Sequence, residues 1–237
     1  MHKPLYDVPN SAGKPYHYLV NYEKYFASLI DKDIALLELG IDKGGSLLLW
    51  RDYFTKVTIA GLDVNPRQVD DSSGKIKTFQ GSQIDIRLLD KIGSTVAPRG
   101  FDIIIDDASH IGELTKKSFW HLFEKHLKPG GLYVIEDWRT GYWAEFEDGE
   151  TYRAEASALE RITWRFLHRK ATLPSHHYGM VGFIKQLIDE LGVDMITSPE
   201  RGSVARQRFP RFQKIEYFPG QVFVVKATEE DKNRLRI

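Results

Sequence analysis

The chain contains no cysteine. That excludes a disulfide framework, a zinc-thiolate site and a thiol nucleophile, and it fits a reducing compartment, so a cytoplasmic protein is expected. Net charge is absent too, with 33 basic residues balancing 33 acidic ones over 237 positions. No global field is left to hold nucleic acid or an anionic membrane surface, and neither is expected as a partner. Long hydrophobic runs are also missing. The opening MHKPLYDVPNSAGKPYHYLVNYEKYF lacks the apolar core of a signal peptide, and no later stretch is long enough to span a bilayer. What remains is an ordinary globular composition, 42% hydrophobic and 28% charged. It suits one domain that buries its own core.

Along the chain, Tyr18, Leu19, Tyr22, Tyr25, Phe26 and Leu29 recur at helical spacing over 16–30, which predicts an amphipathic helix packed on the core. Strands are then expected at Ile34 to Leu39, Thr58 to Val64, Ile76 to Phe79, Phe101 to Ile105 and Leu132 to Ile135. Helices are expected between them at Ser46 to Phe54, Ile84 to Ile92 and Glu113 to Leu127, the last stopped by Lys128-Pro129-Gly130-Gly131. This alternation with short connections predicts an α/β fold of the doubly wound, Rossmann-like kind. Two further helices, Ala154 to His168 and Met180 to Leu191, precede a Pro- and Arg-containing loop at 198–211. Lys214 to Phe218 and Gln221 to Lys226, around Pro219-Gly220, read as a closing antiparallel hairpin. The expected sheet is therefore mostly parallel and seven-stranded, with helices on both faces.

The run from Leu36 to Ser46 (LLELGIDKGGS) joins the first strand to a helix, where glycines let the backbone approach a ligand and helix N-terminal amides face it. Gly40, Gly44 and Ser46 belong to that turn. Its spacing is not the G-x-G-x-x-G of a pyrophosphate binder. Glu38 puts a negative charge beside the turn, which suits a ligand with a cationic amino acid end better than a diphosphate. Asp63 ends the second strand about 20 residues beyond the glycines, the usual place for an acid that binds ribose hydroxyls. The competing role is a cap on the following turn. After the third strand, Gln83 can contact an adenine base, while Ser82 has an equally good reason to be there as a helix N-terminus.

The segments LLELGIDKGGSLLLW, GLDVNP, FDIIIDDASH, LKPGGLYVIEDW and KIEYFPGQVFVVK, in that order, resemble the metal-dependent sugar O-methyltransferases of macrolide biosynthesis, within the class I methyltransferase superfamily. The cephalosporin hydroxylase group is also similar. The resemblance runs from the first helix to the closing hairpin. It implies a class I methyltransferase fold, S-adenosylmethionine as cofactor, and methyl transfer to a sugar hydroxyl. Two departures stand out. Asp106-Asp107-Ala108-Ser109-His110 replaces the family's Asp-Asp-Gly-Ser-His, and the extra N-terminal region of the macrolide enzymes has no counterpart in this sequence.

Asp106 and Asp107 end the fourth strand, and Glu136 and Asp137 end the fifth. Neighbouring strands run about 4.8 Å apart, so these acids meet at the ligand-binding side of the sheet and repel one another unless a cation is present. Asp107, Glu136 and Asp137 are read as ligands for Mg²⁺ or a related divalent ion, and Asp106 joins Glu38, Gly40, Gly44, Ser46, Asp63 and Gln83 on the cofactor side. Acids that merely cap helices are the competing reading. His110, three residues after Asp107, shares a face with it if the segment starts a helix, and it is read as the general base, the role the resemblance also implies. His17, His176 and His177 stay unassigned. Trp138, Tyr142 and Trp143 form either an acceptor wall or core packing, and Arg201, Arg206, Arg208 and Arg211 either hold a phosphate or make a solvated loop.

The whole chain, 1–237, is expected to be one methyltransferase domain. It divides into a helical cap (1–33), a cofactor core (34–137), substrate-side helices and loops (138–211) and the hairpin (212–227). The expected substrate is a sugar or glycoside, and a homo-oligomer is compatible with the sequence. The alternatives are methylation of a catechol-like or other small diol, and a cofactor- or glycan-binding domain without turnover. Hydroxylation is disfavoured, because no 2-His-1-carboxylate pattern is evident.

Overall fold

A computed structural model of the chain describes residues 3–9, 13–150 and 176–234. Seven strands form one sheet: β1 (Asp33–Leu39), β2 (Lys56–Asp63), β3 (Ile76–Gln80), β4 (Phe101–Asp106), β5 (Leu127–Glu136), β6 (Phe212–Phe218) and β7 (Gln221–Lys226). Their order is β3-β2-β1-β4-β5-β7-β6. The first five strands pair in parallel, whereas β7 runs antiparallel to both β5 and β6. This is the Rossmann-like class I methyltransferase sheet with its closing hairpin.

Alternation along the central strands sends side chains into two separate cores. Leu36, Ile103, Ile105 and Val134 pack with Tyr22, Phe26 and Trp50, beneath α1 (Tyr16–Phe26) and α2 (Gly45–Tyr53). Leu37, Ile104 and Ile135 pack with Leu89, Phe119 and Phe183 on the other face, beneath α3 (Ile86–Val96), α4 (Gly112–Lys125) and α5 (Gly179–Leu191). The strand order reverses between β2-β1 and β4-β5, so the carboxyl ends of β1 and β4 flank the crevice where such sheets bind ligands.

Two expectations shift, and a third falls outside the described residues. Lys128 to Gly131 do not follow a helix that ends at Leu127. Instead, α4 stops at Lys125, and these residues loop out inside β5, whose register jumps from Phe101↔Leu127 to Ile103↔Leu132. Pro129 has no N–H to give a ladder and Gly130 takes φ 75°, so the segment suits a bulge. Second, 107–110 does not begin a helix. His110 adopts φ 55° and α4 starts at Gly112, so His110 meets Asp107 through a turn rather than along a helical face. Third, the helix expected at 154–168 lies outside the described residues.

Candidate active site

Gly40 leaves β1 with φ 89°, and a Cβ there would lie 2.1 Å from the Asp107 carbonyl oxygen. Only glycine lets the β1 and β4 ends cross this closely, and the crossing is tied by the Asp107 amide donating to the Leu39 carbonyl at 2.9 Å. Gly44 caps α2 in the left-handed conformation, with Ser46 in the first turn that follows.

Glu38 is fully buried below this turn. Trp50 donates Nε1–H to its Oε2 at 2.8 Å, while Oε1 has no hydrogen-bond partner and faces the Lys14 ammonium at 3.5 Å. Asp63 lies at the end of β2. Its Oδ2 accepts the amides of Ile41 and Asp42 at 3.0 and 3.2 Å, and its Oδ1 accepts that of Asn65 at 2.8 Å. Burial pushes its pKa up, but these amides and Arg67 outweigh burial and hold the carboxyl below its ordinary range. Asp63 is thus an ionised acid that anchors the β1–α2 turn.

Asp106 and Asp107 part company, as successive strand residues must. Asp106 enters the α3/α4 side, where Ser118 donates to it at 2.9 Å, Tyr133 at 3.2 Å and Gln83 at 3.3 Å. Burial raises its pKa to about 6 against those hydrogen bonds. Gln83 is itself buried, and its Oε1 accepts the Ser109 amide at 3.2 Å. Gln83 therefore ties the β3–α3 loop to the acidic loop through protein partners.

Asp107 turns the other way, toward Asp137 and His110. Ligand atoms of these three residues all lie within 4.8 Å of one another. His110 Nε2 is 3.9 Å from Asp107 Oδ1, and its ring packs edge-on against Phe146. Burial holds the imidazole below its usual pKa, which keeps it neutral near pH 7. Asp137 itself has φ 52°, a left-handed turn that carries its carboxylate away from the strand line.

Lys14 was not singled out in the sequence, and it sits at the centre of the acids. Its ammonium is 2.9 Å from Glu136 Oε2 and 3.1 Å from Asp107 Oδ2, with the residue only 8% exposed. Burial would lower the lysine pKa, but Glu136, Asp107 and Glu38 hold it well above its ordinary value. Helix α1 supplies two more contacts: the Tyr22 hydroxyl donates to Glu136 Oε1 and the Tyr18 hydroxyl donates to Asp137. Tyr18 and Tyr22, four apart on α1, present their hydroxyls on one face, and Lys14 reaches the same acids from the segment just before the helix. The hairpin makes room for it, since a Cβ on Gly220, at φ 92°, would lie 1.8 Å from the Tyr18 hydroxyl oxygen.

These acids are short of positive charge. Burial raises the pKa of Glu136 to about 7, and the carboxyls of Asp107 and Glu38 are also raised, chiefly by burial and against the opposing pull of Lys14. A hard divalent ion fits that deficit and that oxygen-rich donor set, and Glu38 Oε1, which has only the Lys14 ammonium at 3.5 Å before it, fits a cationic ligand group.

Two of the loop arginines and one of the unassigned histidines are held by protein partners. Arg208 and Arg211 both bind Glu190, and Arg211 stacks 3.9 Å over Trp120, so they latch the 198–211 loop to the body. His176 is buried, paired with the Gly141 carbonyl at 2.8 Å. Tyr142 and Trp143 remain 38% and 50% exposed, with Tyr142 edge-on to Trp138 and His176 and Trp143 tilted against Phe146.

No protein-family model matches the chain. Among curated proteins it is 40% identical over 133 residues to mycinamicin VI 2''-O-methyltransferase of Micromonospora griseorubida, covering 53% of this chain and 32% of that protein. It is 34% identical over 186 residues to an 8-demethyl-8-(2-methoxy-alpha-L-rhamnosyl)-tetracenomycin-C 3'-O-methyltransferase of Streptomyces olivaceus, covering 76% and 41%. The aligned regions thus span well under half the length of these two relatives. Among solved structures, MycE methyltransferase from the mycinamycin biosynthetic pathway, in complex with Mg and SAH, superposes with a TM-score of 0.68 at 27% identity, covering 96% of this chain and 54% of that one. A further MycE structure holds Mg, SAH and mycinamycin VI (TM-score 0.64, 26% identity, 95% of this chain and 55% of that one). By sequence and by fold together, the chain is a Rossmann-like class I methyltransferase fold homologous to the sugar O-methyltransferases of antibiotic pathways.

Proposed function

We propose that the chain carries the catalytic domain of an S-adenosylmethionine- and divalent-metal-dependent O-methyltransferase acting on a hydroxyl of a sugar or glycosylated metabolite. One observation carries the reading: Asp107, His110 and Asp137 converge at the carboxyl ends of β4 and β5, beside the buried acids Glu38 and Glu136. When bound, the cofactor supplies an electrophilic methyl group and the ion supplies Lewis acidity toward a hydroxyl.

The residues divide the remaining work. Glu38, above which Gly40, Gly44 and Ser46 shape the turn, faces the cationic amino acid end of the cofactor, and Asp63 takes the ribose hydroxyls. Gln83 borders the adenine position, and Asp106 acts by fixing Gln83 and the loop it holds. Asp107, Glu136 and Asp137 hold the ion, with Lys14 as a second positive charge against Asp107 and Glu136. Neutral His110 accepts the acceptor hydroxyl's proton at Nε2. Charge supports the set: it holds four acids and one lysine, and a divalent ion with a cofactor of net charge +1 neutralises the remainder. The relatives' substrates favour a sugar hydroxyl over a catechol-like diol. No helix among the described residues is long and apolar enough to cross a membrane, in keeping with a cytoplasmic enzyme.

The test is methyl transfer from labelled S-adenosylmethionine to a panel of glycosides and their monodeoxy analogues, with and without EDTA. Loss of turnover on chelation, and on removal of the hydroxyl neighbouring the methylated one, is expected. Full turnover in EDTA, or transfer to catechol alone, overturns the reading.

A further inference from the structure

A second group of metal-ligating side chains lies at the opposite end of the sheet. Asp90 sits in the middle of α3, His121 in the last two turns of α4, and His126 just before β5, where its carbonyl accepts the Phe101 amide at the amino ends of β4 and β5. None of the three belongs to the candidate active site.

Their geometry is unlike that of a dispersed ion pair. Both imidazole Nε2 atoms lie 2.8 Å from the same oxygen, Asp90 Oδ1. The second oxygen, Oδ2, is held by Lys125 at 2.7 Å. The two rings stand 5.4 Å apart at 56° and do not stack, so their Nε2 atoms share one point. His126 is also held from behind. A Cβ on Gly93 would lie 2.3 Å from its Nδ1, so the ring fills a slot that only glycine leaves open, which fixes its Nε2 toward Asp90. The histidine side chains are 17% and 12% exposed and that of Asp90 is 35% exposed, so the point of convergence is sheltered yet reachable.

We propose that Asp90, His121 and His126 form a second metal site, for zinc or a similar borderline divalent ion, that clamps α3 to α4 and to the start of β5. Two imidazole nitrogens and one carboxylate oxygen, with water completing the shell, suit Zn²⁺, Co²⁺ or Ni²⁺, whereas the oxygen-rich cluster at the carboxyl ends suits Mg²⁺. All three ligand atoms already lie within 4.8 Å of one another. In a tetrahedral shell with bonds of about 2.0–2.1 Å, ligand atoms stand about 3.3 Å apart, so each Nε2 to Oδ1 separation widens by about half an ångström. Lys125, on an exposed side chain, keeps Oδ2 and orients the carboxylate from outside the shell.

The test uses the full, tag-free chain, stripped with EDTA and then held in excess Mg²⁺ to occupy the oxygen-rich cluster. ZnCl₂ is titrated by calorimetry, and CoCl₂ is followed by its visible absorption. One Zn²⁺ per chain is expected, with the intense Co²⁺ bands of a four- or five-coordinate nitrogen-containing site. Asp90→Asn and His121→Asn should each weaken that binding at least tenfold, while Asp137→Asn leaves it unchanged. Asp90→Asn, at the surface, keeps the test valid if His121→Asn fails to fold. Unchanged Zn²⁺ binding in Asp90→Asn, loss of it in Asp137→Asn, or only the weak spectrum of octahedral Co²⁺ overturns the proposal.

Discussion

Lys14→Met removes the positive charge that lies among the buried acids while keeping most of the side-chain volume. The ammonium contacts Glu136 at 2.9 Å and Asp107 at 3.1 Å, and faces Glu38 at 3.5 Å. At an effective dielectric near 20, each such pair carries roughly 5 kcal/mol of Coulomb attraction before desolvation is charged against it. The net loss on leaving buried acids uncompensated is about 3–5 kcal/mol. In a chain of this size that lowers Tm by about 6–20 °C in EDTA. Mg²⁺ then becomes the principal compensating charge, so it should stabilise the variant more than the parent, by at least about 1.4 kcal/mol or tenfold in Kd. Thermal unfolding with and without Mg²⁺, on both proteins, reads all four states. If the variant is as stable as the parent in EDTA, or gains no more from Mg²⁺, then Lys14 is not the counter-charge of this site and the carboxylates are not its cation ligands.

His110→Ala should lower kcat by about 10²–10⁴ with little change in cofactor affinity, measured by steady-state kinetics and calorimetry. Because burial holds His110 below its usual pKa, the acid limb of the kcat/KM profile should fall below pH 6.5, and a limb at or above that value counts against this base. Asp63→Ala should weaken S-adenosylhomocysteine binding by about 1.5–3 kcal/mol in calorimetry, and unchanged affinity would remove Asp63 from the ribose site. Asp106 has its pKa raised from 3.8 to about 6, so the folded state binds its proton more tightly than the unfolded chain does. That contribution is present at low pH and is lost as pH rises from about 4 to 6. Asp106→Asn should flatten the stability profile in that window, and an unchanged slope would refute the assignment.

The strands and the acids at their ends were legible because they rest on local patterns. Apolar runs of five or six residues, each ending at glycine or acid, mark parallel strands, and the hairpin is announced by Pro219-Gly220. Spacing alone also brings Asp107 to Asp137. What could not be read is the direction of each side chain once the backbone leaves the regular path. That Gln83 and Asp106 also bond each other, Ser118 and Tyr133 is not written in any motif. The left-handed turns at His110 and Asp137 involve residues with no intrinsic preference strong enough to announce them.

The hardest part to read was the contribution of the first helix. Tyr18 and Tyr22 satisfy the apolar periodicity of α1, and periodicity reports only which face is inward, not whether the tip of an inward tyrosine ends on carbon or on a carboxylate. Here it ends on Asp137 and Glu136. Those two acids and Asp107 lie more than 90 residues from Lys14 in sequence, so no local pattern could connect them. The structure joins them because β5 sits beside β4 at the carboxyl end of the sheet while α1 crosses the same edge. A helix that looks like plain packing thus supplies both phenols that hold the acids, and Lys14 enters from the segment just before it, so variants of this segment should alter the metal response of the site.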